Sequence, residues 1–318
     1  MKIRFSVNWP SNALHIMDCI SGFRPEPGIL TDYDDMYHLT RADERKGRQF
    51  LDARRRHVVA LDTAFNCNKY DNALRIAATL PGNEADLFLG AMQHFRDNSY
   101  EYYRSQREML RRRARALSRS KKLLDLEKMA RKGFEFFNSS CPEEAVVHLL
   151  INTSGGEYSG RANIHPQNTI GNAKELHVTL MPNHLETSGK DVISCDLDVD
   201  CHEFLHSARR LVHPVQETRF KELTGRDDGI IEESVIDTLC PGAALSLKYG
   251  LCKSLSRDFT REWKIPAVTD MDYEAIVRAA LAYKLYPMTR KWLQQGKTVF
   301  QDDYLNTARK MLDEIRAG

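Results

Sequence analysis

His202 and His206 stand four residues apart, with Glu203 between them, in the stretch Asp198-Val199-Asp200-Cys201-His202-Glu203-Phe204-Leu205-His206. On a helix, residues four apart lie one above the other, so the two imidazoles would aim at one point, at a spacing that a tetrahedral zinc ion accepts. Glu203 is offset by about 100° and stays out of that coordination sphere. Its carboxylate is placed instead to take a proton from a water beside the metal. The plainer reading of the same residues is a solvated surface helix. In a chain with eleven histidines the spacing arises by chance in roughly a few per cent of cases, so a second feature has to decide.

A two-histidine site needs a third protein ligand and one position left open for water. Downstream lies Gly229-Ile230-Ile231-Glu232-Glu233-Ser234-Val235-Ile236-Asp237. Glu233 and Asp237 share a helix face. That suits a metal-binding carboxylate and an acidic partner one turn later that orients a histidine through its other ring N–H. Glu232 has Ile236 at the equivalent position, so Glu233 is the preferred ligand. The three-histidine alternative, His-Glu-x-x-His-x-x-Gly-x-x-His, fails: Arg209 and Val212 occupy the glycine and third-histidine positions, and His213 misses by one residue.

His-Glu-x-x-His followed by Glu-x-x-x-Asp resembles the gluzincin group of zinc metallopeptidases, the thermolysin-like branch of the zincins. The lead-in Asp198-Val199-x-x-His202-Glu203 is similar to that branch, and the whole also looks like bacterial peptidase-like families with a His-Glu-Phe motif. The resemblance covers roughly Glu144 to Leu255 and is close at motif level only. It implies a strand at Ala145–Asn152, an edge strand at Gly155–Ile164, the next strand inward at Glu175–Asn183, then the active-site helix and the ligand helix. Two features depart from it. Asp200 stands where zincins usually have an uncharged residue, and a longer gap before Glu233 predicts an extra loop over Val212–Asp228.

At 318 residues, 42% hydrophobic and 28% charged, the chain is long enough for one large or two ordinary soluble domains. A net charge of +2 gives no bulk attraction to nucleic acid or membrane. No apolar run is long enough for a membrane helix, and Met1–Val7 alternates like a strand with no signal-peptide core. The seven cysteines form no Cys-x-x-Cys pair. They read as reduced thiols of a cytoplasmic protein, with Cys201 a packing residue turned about 100° from the histidine face.

The remaining elements follow from apolar periodicity and breakers. Residues 1–8 predict a strand and Ser11–Ile20 a helix, together a unit of residues 1–37 that can join the catalytic sheet, with Arg24–Gly28 a turn. Residues 38–140 read as a helical insertion: Gln49–Asn66, Tyr70–Thr79, Glu84–Asp97 and Tyr100–Phe137, broken at Pro81-Gly82 and Asn98-Ser99. Its basic run, Arg111, Arg112, Arg113, Arg115, Arg119, Lys121 and Lys122, reads as a solvated face, because no aromatic residue interleaves it for stacking on bases. Ser194–Asp200 leads into the active-site helix, which runs to about Leu211. The acids at 196, 198 and 200 lack the glycine and distal glutamate of a calcium loop and suit a helix N-terminus. Further helices are expected at Ala243–Ser256, Asp272–Tyr286, Met288–Gln295 and Asp302–Ile315.

The expectation is therefore an α+β protein. Residues 141–318 form a zincin-like core, a small mixed sheet plus active-site helix, with a helical insertion before it and a helical C-terminal part. The resemblance implies a Zn2+-dependent peptidase acting on a peptide or protein substrate. Zinc would be held by His202, His206 and Glu233, with Glu203 as general base and Asp237 orienting a ligand. His165, Tyr249, Tyr273 and Tyr283 are candidate oxyanion donors. The alternatives are a zincin-fold binding protein without catalysis and a nucleic-acid-associated protein using residues 111–122.

Overall fold

The computed structural model describes residues 1–24, 26–123, 125–152, 159–163, 175–182, 190–240, 273–301 and 303–317. Its sheet has the order β1-β2-β4-β3. Strand β1 (Lys2–Ser6) runs parallel to β2 (Glu144–Leu149), with Ile3 opposite Ala145. Strand β2 runs parallel to β4 (Glu175–Met181), and β3 (Ser159–Asn163) closes the edge antiparallel to β4. The N-terminal strand thus joins the sheet, and β3 and β4 lie within the stretches predicted as edge and inner strands. Ala145, Val147, Leu149, Leu176, Val178 and Leu180 alternate onto one fully buried face, as period-two side chains must.

The opposite face carries polar groups that tie down the first helix, α1 (Trp9–Ile20). Asn12 donates to Leu149 O and accepts from Ile151 N at 3.0 Å each, while His15 Nε2 lies 2.9 Å from Ile151 O. Asn8 caps α1 through Oδ1, which leaves its Nδ2 to donate to His148 Nδ1 at 2.7 Å. His148 Nε2 then meets His177 Nδ1 at 2.8 Å. Burial, with the neighbouring His177, pushes His148 down to about 3, so the His148 ring is neutral at neutral pH.

Helices α2 (Pro27–Tyr37), α3 (Arg41–Arg56), α4 (Val58–Cys67), α5 (Tyr70–Ala77), α6 (Glu84–Leu123) and α7 (Leu126–Phe136) follow. Three expectations are corrected here. The segment expected as a turn at 24–28 already contains the start of α2, with Pro27 at its first position. The helix expected at 49–66 is two, separated at His57 after three consecutive arginines. And α6 runs unbroken through Asn98-Ser99. Ser99 is buried there against the Tyr33 hydroxyl at 3.4 Å, and tertiary packing outweighs its weak helix preference. The break comes instead at Asp125, whose φ of 51° is left-handed.

Helix α8 (Lys190–Arg210) buries Leu197, Cys201, Phe204, Leu205 and Ala208, a stripe at three- and four-residue spacing. It starts earlier than expected, so Asp196 sits inside the helix and not at a dipole-favoured N-terminus. Asp196 is fully buried in an ion pair with Arg113 of α6. That member of the basic run is therefore no solvated residue, and the pair pins α8 to the preceding helical segment. The expected loop 212–228 is mostly helix α9 (Pro214–Thr224), started by Pro214 with His213 as its cap, followed by a 3₁₀ turn at Gly225–Asp227.

Helix α10 (Asp228–Leu239) follows, then α11 (Tyr273–Gln294) and α12 (Tyr304–Ala317). The two helices expected on either side of Pro287 are one, with the proline inside. The carbonyl it leaves unbonded, four residues back, belongs to Tyr283, which is 42% exposed, so water can satisfy it. The helix expected at 243–256 lies outside the described residues. Apolar residues from the sheet and from every helical segment join one continuous core. The α+β class holds.

Gly133 of α7 packs directly against Leu205 of α8. A methyl group there would lie 1.9 Å from Leu205 Cδ2, and Leu205 is fully enclosed. Gly133→Ala should therefore destabilise the protein by about 1–3 kcal/mol through overpacking, despite alanine's better helix propensity. Denaturant unfolding checks this, and an unchanged or higher midpoint would contradict the packing.

Candidate metal centre

Three helices bring the site together. The buried stripe of α8 fixes its rotation, so that His202, Glu203 and His206 lie on a partly exposed side. Ile231, Val235, Ile236 and Leu239 bury one side of α10, which turns Glu232, Glu233 and Asp237 toward α8. Ser234 clamps α10 to α11 by donating to Arg278 O at 3.1 Å as well as to Ile230 O.

His202, His206 and Glu233 converge as potential metal ligands. His202 Nε2 and His206 Nε2 are 3.0 Å apart. Glu233 Oε2 is 3.2 Å from His202 Nε2, and Glu233 Oε1 is 3.2 Å from His206 Nε2. Donors about 2.0–2.1 Å from a tetrahedral zinc are separated by roughly 3.3 Å, so these atoms approximate one face of such a polyhedron. Glu233 Oε2 is buried and accepts no hydrogen bond, though His202 and Arg278 lie within ion-pair range. A carboxylate that sets one oxygen 3.2 Å from each of two imidazole nitrogens fits a divalent cation.

The outer ring nitrogens are backed by carboxylates. His202 Nδ1 faces Asp237 Oδ1 at 3.5 Å, and His206 Nδ1 meets Glu232 Oε1 at 2.8 Å. This is the arrangement that sets ligating histidines to coordinate through Nε2. Asp237 is held by Arg278 of α11 through a two-pronged contact, Nε to Oδ2 at 2.7 Å and Nη2 to Oδ1 at 2.8 Å. Arg278 Nη1 also lies 3.0 Å from Glu233 Oε2. Behind Glu232 sits Arg209, buried 3.9 Å over the Phe220 ring, paired with Glu217, and 3.8 Å from Glu232 Oε2. Helix α9, which supplies Phe220 and Glu217, thus braces Glu232.

The charges are strongly coupled. Burial opposes a charge on His202, but Asp237 and Glu233 outweigh it and lift its pKa to about 10. His206 reaches about 9: burial and the His202 charge lower it, and Glu232 and Glu233 raise it further. Burial works against ionising Glu233 and Asp237. The histidines and Arg278 nevertheless hold both below the usual carboxylate range.

The structure thus gathers four of the five residues singled out by the sequence: His202, His206, Glu233 and Asp237. Glu203 is partly buried on the adjoining side of α8, and its backbone carbonyl accepts from Ser207. Of the oxyanion candidates, His165 and Tyr249 lie outside the described residues, and nothing is described of the Tyr273 side chain. Tyr283 is placed about 140° round α11 from Arg278 and does not share its face. Two residues were missed. Glu232 had a signal, since two histidine ligands call for two orienting groups. Arg278, 41 residues beyond Asp237, had none. Comparisons with protein-family models, with curated proteins and with solved structures returned no match.

A cation at this position must displace protons, because ligating imidazoles are neutral. With their nitrogens 3.0 Å apart, the two rings titrate as a pair. Zinc affinity should therefore rise with pH up to about 9 to 10, with close to two protons released per zinc near pH 7. Calorimetry in buffers of different ionisation enthalpy measures this, and zinc uptake with no proton release would contradict it. In the metal-free protein the raised histidine values add stability that is complete below about 6.5 and lost as pH rises through about 9 to 10. The depressed Glu233 and Asp237 values add stability that is lost on acidification.

Proposed function

We propose that this protein is a zinc-dependent hydrolase of peptide bonds with a zincin-like core. The observation that carries the reading is the convergence of His202 Nε2, His206 Nε2 and the Glu233 carboxylate at 3.0–3.2 Å, with a carboxylate behind each ring. The peptide substrate rests on the gluzincin resemblance. One feature of the fold supports it: β3, an antiparallel edge strand of the described sheet, lies next to α8, and a sheet edge can pair with an extended peptide. Among the described residues no helix is long and apolar enough to cross a membrane.

His202, His206 and Glu233 would hold the zinc. When bound, the metal supplies Lewis acidity, polarising a carbonyl and lowering the pKa of water to about 7. Glu203 takes a proton from the attacking water on its carboxylate and delivers it to the leaving amine nitrogen. Glu232 and Asp237 hold the Nδ1 protons of His206 and His202, which keeps Nε2 unprotonated and aimed inward. Arg278 fixes the Asp237 carboxylate and keeps it ionised.

Purified without chelator or histidine tag, the protein should carry one zinc per chain by mass spectrometry, lost in His202→Ala and His206→Ala. Zinc-free wild type, or undiminished zinc in both variants, would remove the site. Glu203→Gln should keep its zinc and lose about 10²–10⁴ in peptide turnover. Equal turnover by wild type and variant would take Glu203 out of the mechanism, and turnover by neither would favour a zinc-binding protein without catalysis.

The flanking carboxylates give a graded test. Zinc affinity should fall about 10–100-fold in Asp237→Ala and in Glu232→Ala. Asp237→Asn should lie between, since its amide oxygen still accepts but lacks the charge. Unaltered affinity in both alanine variants would mean that the rings are not positioned through Nδ1.

A further inference from the structure

Helix α6 carries a second chemical pattern, on a side remote in sequence from the residues around His202. Arg96, Tyr100, Tyr103, Arg104, Arg107 and Arg111 recur at three- and four-residue spacing, which gathers them within about 100° of arc along roughly 22 Å of helix. Continuity of α6 through Asn98-Ser99 keeps Arg96 in register with the rest. The fold then adds two aromatic rings that the sequence leaves far apart. Trp9 of α1 lies 5.1 Å from Tyr100, edge-on at 78°, and 5.5 Å from Tyr103. Tyr70 of α5 lies 5.4 Å from Trp9, with the Arg96 guanidinium 5.8 Å over its ring.

The positive charge on this face is largely uncompensated. Arg104 and Arg111 are exposed, and no ion pair joins either to a described residue. Arg107 lies beside the Tyr103 hydroxyl, and its Nε is buried without a hydrogen-bond partner. Glu108 is shared by Arg112 and Arg115 at 3.7 and 2.9 Å, with Arg111 also near it, and Glu101, three residues before Arg104, has no ion pair with it among the described residues. Asp71 and Asp97 lie near the Tyr70 end, so the free charge runs from Arg104 toward Arg111. Tyr100 is 41% exposed and Trp9 is half-buried, so both rings reach solvent beside the guanidiniums.

We propose that this face binds single-stranded nucleic acid, with phosphates on Arg104, Arg107 and Arg111 and a base stacked on Tyr100 beside Trp9. Alternating guanidiniums and accessible rings match a strand whose phosphates and base faces are both available. A duplex hides its base faces and asks for a helix free to enter the major groove. Helix α6 is packed along its length against α1, α3 and α8, so it is not free in that way. A lipid surface asks for exposed aliphatic residues, which this stripe lacks, and an acidic peptide would leave the rings unused.

The test is fluorescence anisotropy of the full-length chain with a short labelled oligothymidine strand across a salt series. Three phosphate contacts give a log–log salt slope of about −2. Replacing Arg104, Arg107 and Arg111 together by glutamine should abolish most of that slope, and replacing them by lysine should retain it. Tyr100→Ala should weaken binding about 5- to 100-fold at unchanged slope, because a stack carries no counterions. Circular dichroism and thermal melting identify any variant that fails to fold, and the lysine variant keeps the charge test interpretable in that event. No binding at low salt overturns the proposal. So does an unaffected Tyr100→Ala variant, or equal or tighter binding to duplex DNA, to polyglutamate or to phosphatidylserine–phosphatidylcholine vesicles.

Discussion

Two imidazole nitrogens held 3.0 Å apart inside a ring of carboxylates form the interaction on which the rest of the structure depends. Such an arrangement is unfavourable unless every charge in it is compensated, because burial penalises each ionised group and like groups repel. Helix α8 supplies the histidines, α10 the three carboxylates and α11 the Arg278 guanidinium. Removing any one helix leaves partly buried charge unpaired. The site therefore sets the docking of all three helices, and their docking sets the site.

The surrounding scaffold acts mainly through the rotation and depth of α8. Five buried residues from Leu197 to Ala208 decide which side of the helix meets α10. Gly133 lets α7 approach Leu205 closely, and the buried Arg113–Asp196 pair ties α8 to α6. The helical segment before the second strand is thus part of the support for α8, sharing one core with the sheet. On the far side, Arg209 over Phe220 props Glu232, so α9 contributes to the orientation of His206.

What was legible in the sequence was whatever depends on local spacing. His202 and His206 one turn apart, Glu233 and Asp237 one turn apart, and the period-two alternation of β2 and β4 all survive into the structure, because helix and strand geometry fix them. Boundaries failed where tertiary contacts overrode local preference. Ser99 stays helical because it is buried against Tyr33, and Pro287 is tolerated inside α11 next to an exposed residue, Tyr283, whose carbonyl it leaves unbonded. Segment 212–228 was expected as a loop only from the longer gap before Glu233, and the start signal of α9 in it, His213 before Pro214, was passed over. Arg278 and the Trp9–Tyr100 contact could not be read, since each joins segments that only the fold brings together.

The central claim, that His202 and His206 present Nε2 to one cation while carboxylates hold Nδ1, is tested most directly by nitrogen-15 NMR of the imidazole rings during zinc titration of the whole protein. The account predicts that both rings bind zinc through Nε2 at one equivalent, with protonated Nδ1 in the Asp237 and Glu232 contacts. Ligation through Nδ1, or two rings whose nitrogens ignore added zinc, would contradict it.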